Sequence, residues 1–314
     1  MARQRKRRGN PVHGWLAIDK PIDMTSTQVV GRLKRLFNAQ KAGHGGTLDP
    51  LADGILPIAF GEATKTAQWA MDCDKEYVFT IEWGTSTASQ DKEGEVTATS
   101  DIRPDRETIA AALPAFIGRI EQVPPRYSAI KIAGERAYDL ARDGERFDIP
   151  SREVIVYEAE LVDCPDRDHA VIRIVTGKGF YVRALARDLA EALGAEGHVS
   201  QLRRTRVGPL DETRALTLEA LDKLSDDPEA LMAKLSPLET VLDDIPQITV
   251  DTGEAAAIKQ GREIVLLPHT VELWRAEKQD DPEDRLTLAI GSAGAVALGE
   301  VRAGRFQPSK VFQL

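Results

Sequence analysis

Apolar positions along the chain follow two rhythms, and each change of rhythm marks an element. "GWLAID" is a near-continuous apolar run closed by Lys20-Pro21, which predicts a short buried strand. In "TSTQVVGRLKRLF" the apolar residues recur at helical spacing, with Val29, Leu33 and Phe37 on one face and Arg32 and Arg35 turned away from it. Thr25 and Gln28 precede that face at capping-box spacing. A strand is expected around residues 55–60, then a helix through "EATKTAQWAM". "KEYVFTIEWG" switches to period two: Tyr77, Phe79, Ile81 and Trp83 face one way, and Glu76, Thr80 and Glu82 the other. "RETIAAALPAFIG" reads as a helix that Pro114 interrupts. "YSAIKIAG" reads as a strand and "ERAYDLARDG" as a short helix. "EVIVYEAELVD" and "HAVIRIVTG" read as paired strands. "YVRALARDLAEALG" presents Val182, Leu185, Ala186, Leu189 and Leu193 on one helical face, and "HVSQLRRTRVG" is a further strand.

Strands and helices mix here without regular βαβ alternation, which favours an α+β fold around a central mixed, mainly antiparallel sheet. After about residue 245 the texture changes to a short helix, "TGEAAAIKQG", and strands at "EIVLL", "RLTLAI", "AVALGEV" and "SKVFQL", interrupted by the acidic loop "AEKQDDPEDR". The expected organisation is a basic arm over 1–10, one large domain over 11–244 and a small β-rich domain over 245–314.

Composition adds little to this picture, but charge distribution adds something. The net charge is −9, with 42% hydrophobic residues, ordinary values for a globular protein. Residues 1–71 carry eleven Lys/Arg against five Asp/Glu, whereas 222–291 carry seven against sixteen. Arg203, Arg204 and Arg206 cluster without a neighbouring acid. A basic front and an acidic rear fit a nucleic-acid partner in spite of the overall balance, or are simply solvated faces. No apolar run reaches membrane-span length. Cys73 and Cys164 are read as reduced thiols, so a cytoplasmic location is expected.

Candidate chemistry centres on "GHGGTLDPLADGILP", residues 43–57. The stretch has neither the GK[ST] ending nor the GxGxxG spacing of a phosphate loop. Pro50 holds Asp49 extended, and the preceding glycines permit close approach of a ligand. Asp49 is therefore either aimed into a cleft or part of an ordinary Asx turn. Arg183 stands in the first turn of its helix, where the macrodipole disfavours a cation by ~0.3–1 kcal/mol. A nearby carboxylate would resolve the misfit; a solvent-facing arginine, or one paired with Asp188, is the plain alternative. Tyr77 is either a core tyrosine or a ring that stacks on a base. His44 has no second His or Cys near it, so no metal site is expected. Asp53 reads as a turn residue, which leaves a glycoside hydrolase without its second carboxylate.

Several stretches together carry a family resemblance. "GHGGTLDPLADGILPIAFGEATK" resembles the signature of the TruB family of pseudouridine synthases, and "LAIDKP", "KEY", "GKGFYVRALARDLAEALG" and "HVSQLRRTRVGPL" resemble its other blocks in the same order. Gly45 and Phe180 stand where the family usually has Thr. The resemblance implies a pseudouridine-synthase catalytic domain with a small PUA-like RNA-binding domain behind it. It implies isomerisation of the uridine at position 55 in the T loop of tRNA, without cofactor or metal. Asp49 matches the catalytic aspartate, Tyr77 the tyrosine packed on the target base, and Arg183 the arginine paired with the aspartate. Leu202 matches a pocket wall, Lys20 and Pro21 a pair bordering the site, and His44 an RNA contact. Arg32, Arg35, Arg203 and Arg204 are expected to contact phosphates. The expected enzyme is a monomer that needs no protein partner and no membrane. A guide-RNA-dependent synthase of the dyskerin type and a tRNA-folding chaperone are the rivals.

Overall fold

β1 (Gly14–Lys20) forms where the first apolar run predicts it, with Trp15 and Ile18 fully buried. A computed structural model of the chain describes residues 9–128, 130–132, 135–136, 147–277 and 285–314. Residues 1–8 of the basic arm, most of "ERAYDLARDG" and the body of the acidic loop lie outside the described residues. α1 (Ser26–Leu36) carries the capping box of Thr25 and Gln28, and buries Val29 and Leu33. β2 (Ala42–His44) and β3 (Ala52–Phe60) follow, and β1 pairs antiparallel with β3 along its whole length.

The helix expected through "EATKTAQWAM" is instead a 3₁₀ segment, Gly61–Thr66, continued by α2 (Ala67–Asp72). The cause is local: the hydroxyls of Thr64 and Thr66 donate to the carbonyls of Gly61 and Ala63, three residues back, and compete with the α-helical ladder. β4 (Lys75–Trp83) keeps the period of two, and α3 (Arg106–Ala112) ends in a 3₁₀ turn at Pro114. β5 (Gly118–Gln122), β6 (Arg152–Asp166) and β7 (His169–Thr176) form an antiparallel group with β4. Within "YSAIKIAG", among the described residues, Lys131–Ile132 is strand and pairs with Glu135–Arg136, so those last two residues are strand where a helix was expected. α4 (Val182–Ala192) packs Val182, Leu185, Ala186 and Leu189 onto Phe79, Ile81 and Ile172. Each buried leucine, isoleucine or phenylalanine among them contributes ~1.5–3 kcal/mol.

β8 (Gly197–Val207) lies between β3 and β4, parallel to the first and antiparallel to the second. With short β9 (Leu210–Asp211) and β10 (Leu216–Thr217), the described residues build a ten-stranded mixed sheet whose main path runs β10-β1-β3-β8-β4-β7-β6-β5. The second sheet has five strands: β11 (Gln247–Thr249), β12 (Ile264–Val265), β13 (Leu286–Gly291), β14 (Gly294–Arg302) and β15 (Arg305–Val311). It is accompanied by α5 (Thr252–Lys259) and α6 (Pro268–Glu277); β11 and α6 carry no clear periodic signal in the sequence. Leu288 and Leu298 of this sheet, with Phe312 just beyond its last strand, share one buried cluster with Trp15, Ile55 and Ala59 of the first.

Candidate active site

The loop that precedes β3 is held at every residue from 46 to 50. Arg204, on β8 and only 2% exposed, donates through Nη2 to the Gly46 carbonyl (3.2 Å), through Nη1 to Thr47 (3.2 Å) and through Nε to Ile55 (2.8 Å). Ser26, at the start of α1, donates to the Leu48 carbonyl (3.0 Å) and accepts from the Leu48 N–H (2.9 Å). The Asp49 carbonyl accepts from the Ala52 N–H (3.1 Å). Pro50 offers its carbonyl to the Asp23 N–H (2.9 Å) and to Lys20 Nζ (3.3 Å). Gly54, at φ +96°, lets the two strands close: a Cβ there would lie 2.2 Å from the Arg204 carbonyl.

On this pinned loop Asp49 projects its carboxylate toward Arg183, with Nη2 to Oδ2 at 2.7 Å. Arg183 lies in the first turn of α4 and is buried. Its Nη2 also donates to the Tyr127 carbonyl (3.0 Å), its Nη1 donates to the Ser89 carbonyl (2.9 Å), and Nη1 lies 3.2 Å from Asp91 Oδ2. Two carboxylates and two carbonyls thus resolve the unfavourable cation in that turn. Asp188 pairs with Arg187 instead. Asp91 is itself oriented by Ser89, which donates to its Oδ1 at 2.5 Å.

Asp49, Tyr77, Arg183 and Leu202 line one cavity of about 340 Å³, within the size range of small-molecule sites. Lys75, Ser128, Arg152, Phe180 and Tyr181 complete much of its wall. Tyr77 is only 9% exposed and belongs both to the core under α4 and to this wall. Arg152 stacks over the Tyr181 ring at 4.9 Å. Lys75 Nζ donates to the carbonyls of Met71 and Cys73 at the end of α2, and burial pushes its pKa down to about 8.

Other residues singled out in the sequence do different work. Lys20 is fully buried beneath the loop, also donating to the carbonyls of Pro21 (2.8 Å) and Met24 (2.9 Å), and burial lowers it to about 8. His44 is half-buried, with an Nδ1 that has no partner among the described residues; burial, then Arg204, lowers its pKa below the usual value, which favours the neutral ring. Arg204 is no surface phosphate contact, because its guanidinium is spent on three carbonyls inside the protein. Arg203 is likewise committed, to Asp19, Asp53 and Glu212. Arg32 pairs with Asp222, and Arg35 is exposed. The local patterns missed Ser26, Asp91 and Ser128, none of which carries a periodic or motif signal. Lys75 was accessible to the same reading that found Tyr77, since it lies two residues away on the same strand face. Among the described residues no group of three or more His, Cys, Asp or Glu side chains is gathered as metal ligands, and no helix is long and apolar enough to cross a membrane.

Comparison with known proteins converges on this region. Residues 34–182 match the TruB family pseudouridylate synthase (N terminal domain), and residues 183–243 match the tRNA pseudouridylate synthase B C-terminal domain. The chain is 56% identical over 310 residues to tRNA pseudouridine synthase B of Caulobacter vibrioides, covering 99% of each chain. It is 48% identical to the protein of that name from Agrobacterium fabrum, covering 98% of this chain and 97% of the other. Among solved structures, one titled as a Cbf5-Nop10-Gar1 complex superposes with TM-score 0.71 at 25% identity, covering 96% of this chain and 85% of that one.

Proposed function

The chain belongs to the TruB family of pseudouridine synthases, and from that premise we propose that it isomerises the uridine at position 55 of tRNA, with Asp49 as the essential carboxylate. The observation that carries the reading is the Asp49–Arg183 pair, set on an immobilised loop at the wall of a nucleotide-sized cavity.

The reaction breaks the bond from N1 of uracil to C1′ of the ribose and forms a bond from C5 to C1′. N1 ends with a proton and C5 gives one up, so atoms balance without oxidant, reductant or energy source. The base must be detached, turned and rejoined without escaping. An ionised carboxylate serves this chemistry as nucleophile at C1′ or C6, or as base at C2′. Arg183 supports all three by holding that charge in place. Because the loop is already fixed through Arg204, Ser26 and Lys20, little reorganisation is needed when substrate arrives. The target must first leave its stack, which costs a few kcal/mol. Tyr77 and Leu202 offer the flipped ring an apolar seat, and exposed Arg35 is available to phosphates.

We further propose that the enzyme acts on tRNA alone, without guide RNA or partner protein. The test is pseudouridine formation on an unmodified tRNA transcript with purified wild type and Asp49→Asn. Product at position 55 from wild type only is the expected result. Product from both would remove Asp49 from the mechanism. Binding without product from either would favour a guide-dependent enzyme or a folding chaperone.

A further inference from the structure

We infer that Ser128 reads the target base, its hydroxyl donating a hydrogen bond to a carbonyl oxygen of the flipped uracil; this rests on the Asp49-centred reading above. Ser128 is 4% exposed, lines the same cavity as Asp49 and Tyr77, and its Oγ has no hydrogen-bond partner among the described residues. A buried hydroxyl without a partner is costly, and native proteins leave few of them. Its position is not loose: the carbonyl of the preceding Tyr127 accepts from the Arg183 Nη2 that also pairs with Asp49. The serine is therefore built into the same assembly as the candidate catalytic carboxylate, and its hydroxyl, closed to solvent, is left without a partner among the described residues beside the cavity.

The cationic side chains of the cavity wall are already engaged. Lys75 is held by two carbonyls, Arg204 by three, and Arg183 by its carboxylates and carbonyls. Arg152 retains a buried Nε without a partner, but its guanidinium is fixed on the Gly179 carbonyl and the Tyr181 ring.

The reaction itself explains why a donor suits this position. Turning uracil about the axis through N3 and C6 exchanges N1 with C5, which is the required change, and also exchanges O2 with O4. A hydroxyl aimed at one carbonyl position therefore meets an oxygen both before and after the turn.

The experiment compares wild type, Ser128→Ala and Asp49→Asn on T-arm RNAs bearing uridine, 2-thiouridine or 4-thiouridine at the target. Melting temperatures of all three proteins are measured alongside. Ser128→Ala is expected to melt at or above the wild-type temperature, because it removes an unsatisfied buried group. Its kcat/KM on uridine should fall about 10- to 100-fold. On at least one thio substrate the gap between wild type and variant should shrink, since sulfur is a weak acceptor and the two losses are one interaction. Wild-type kinetics would overturn the proposal, as would a melting temperature lowered together with activity, or an equal loss on all three RNAs. An active Asp49→Asn would instead overturn the underlying reading, and the two failures are separable.

Discussion

Arg183 has two carboxylates and two carbonyls gathered around one guanidinium, and this arrangement makes its removal more than the loss of a contact. Arg183→Ala leaves the largely buried Asp91 without its cation, a loss that costs about 3–5 kcal/mol in buried pairs, whereas Asp49, 40% exposed, is partly screened by solvent. We expect single-turnover rates at least about 100-fold lower and a reduced melting temperature, with tRNA affinity largely retained; rapid-quench kinetics beside filter binding check this. Lys20 makes a separate prediction. Burial holds its pKa near 8, whereas the unfolded chain keeps that proton to about 10.4. Between those values the unfolded state binds more protons, so stability at this group rises with pH. Relative to Lys20→Met, wild type should gain stability between pH 8 and pH ~10 in urea titrations. Gly45 shows how a family position can be overruled by packing. A Cβ there would lie 2.6 Å from the Cβ of Ala70, so the Thr usual in the family has no room in this chain.

At the scale of elements, a strand and a helix end cooperate to hold the loop that carries Asp49. β8 supplies Arg204 from below and the start of α1 supplies Ser26 from the side. Neither role follows from local pattern: Arg204 belongs to a basic cluster that reads as a phosphate contact, and only its 2% exposure and its three carbonyl partners show otherwise. Arg204→Met keeps bulk but strands three acceptors. We expect it to lose stability by roughly 1–3 kcal/mol per unsatisfied group and to lower kcat more than it raises KM, because the loop no longer presents Asp49 in one place. Faster hydrogen exchange over residues 46–52 in the variant would locate the effect; unchanged exchange with unchanged kcat would contradict it.

Across the whole molecule, the two sheets are joined by a shared apolar cluster and by polar clips. Lys65 Nζ donates to the Val311 carbonyl (2.7 Å), Lys310 Nζ to the Lys65 carbonyl (3.1 Å), and the Gln313 N–H to Glu62 (2.9 Å). Deleting residues 245–314 should expose Trp15, Ile55 and Ala59 and lower the melting temperature of the remainder by about 10 °C or more; calorimetry on the shortened chain tests it, and an unchanged transition would mean that the sheets are thermodynamically independent. The sequence by itself determined the elements whose period is unambiguous: β1, α1 with its capping box, β4, the β6–β7 pair, α4 and β8 are all legible, as is the aspartate between a glycine turn and a proline. The resemblance paired that aspartate with Arg183, as the structure does, but local pattern could not determine what else meets the arginine. The Arg183 misfit signalled the need for a partner without naming Asp91, and charge alone could not separate exposed Arg35 from Arg203, which is held by three carboxylates, and Arg204, which is buried. The reason is physical. Periodicity and capping arise from interactions among residues a few positions apart, whereas ion pairing and burial depend on strands that meet across more than a hundred residues, and only the tertiary structure brings those together.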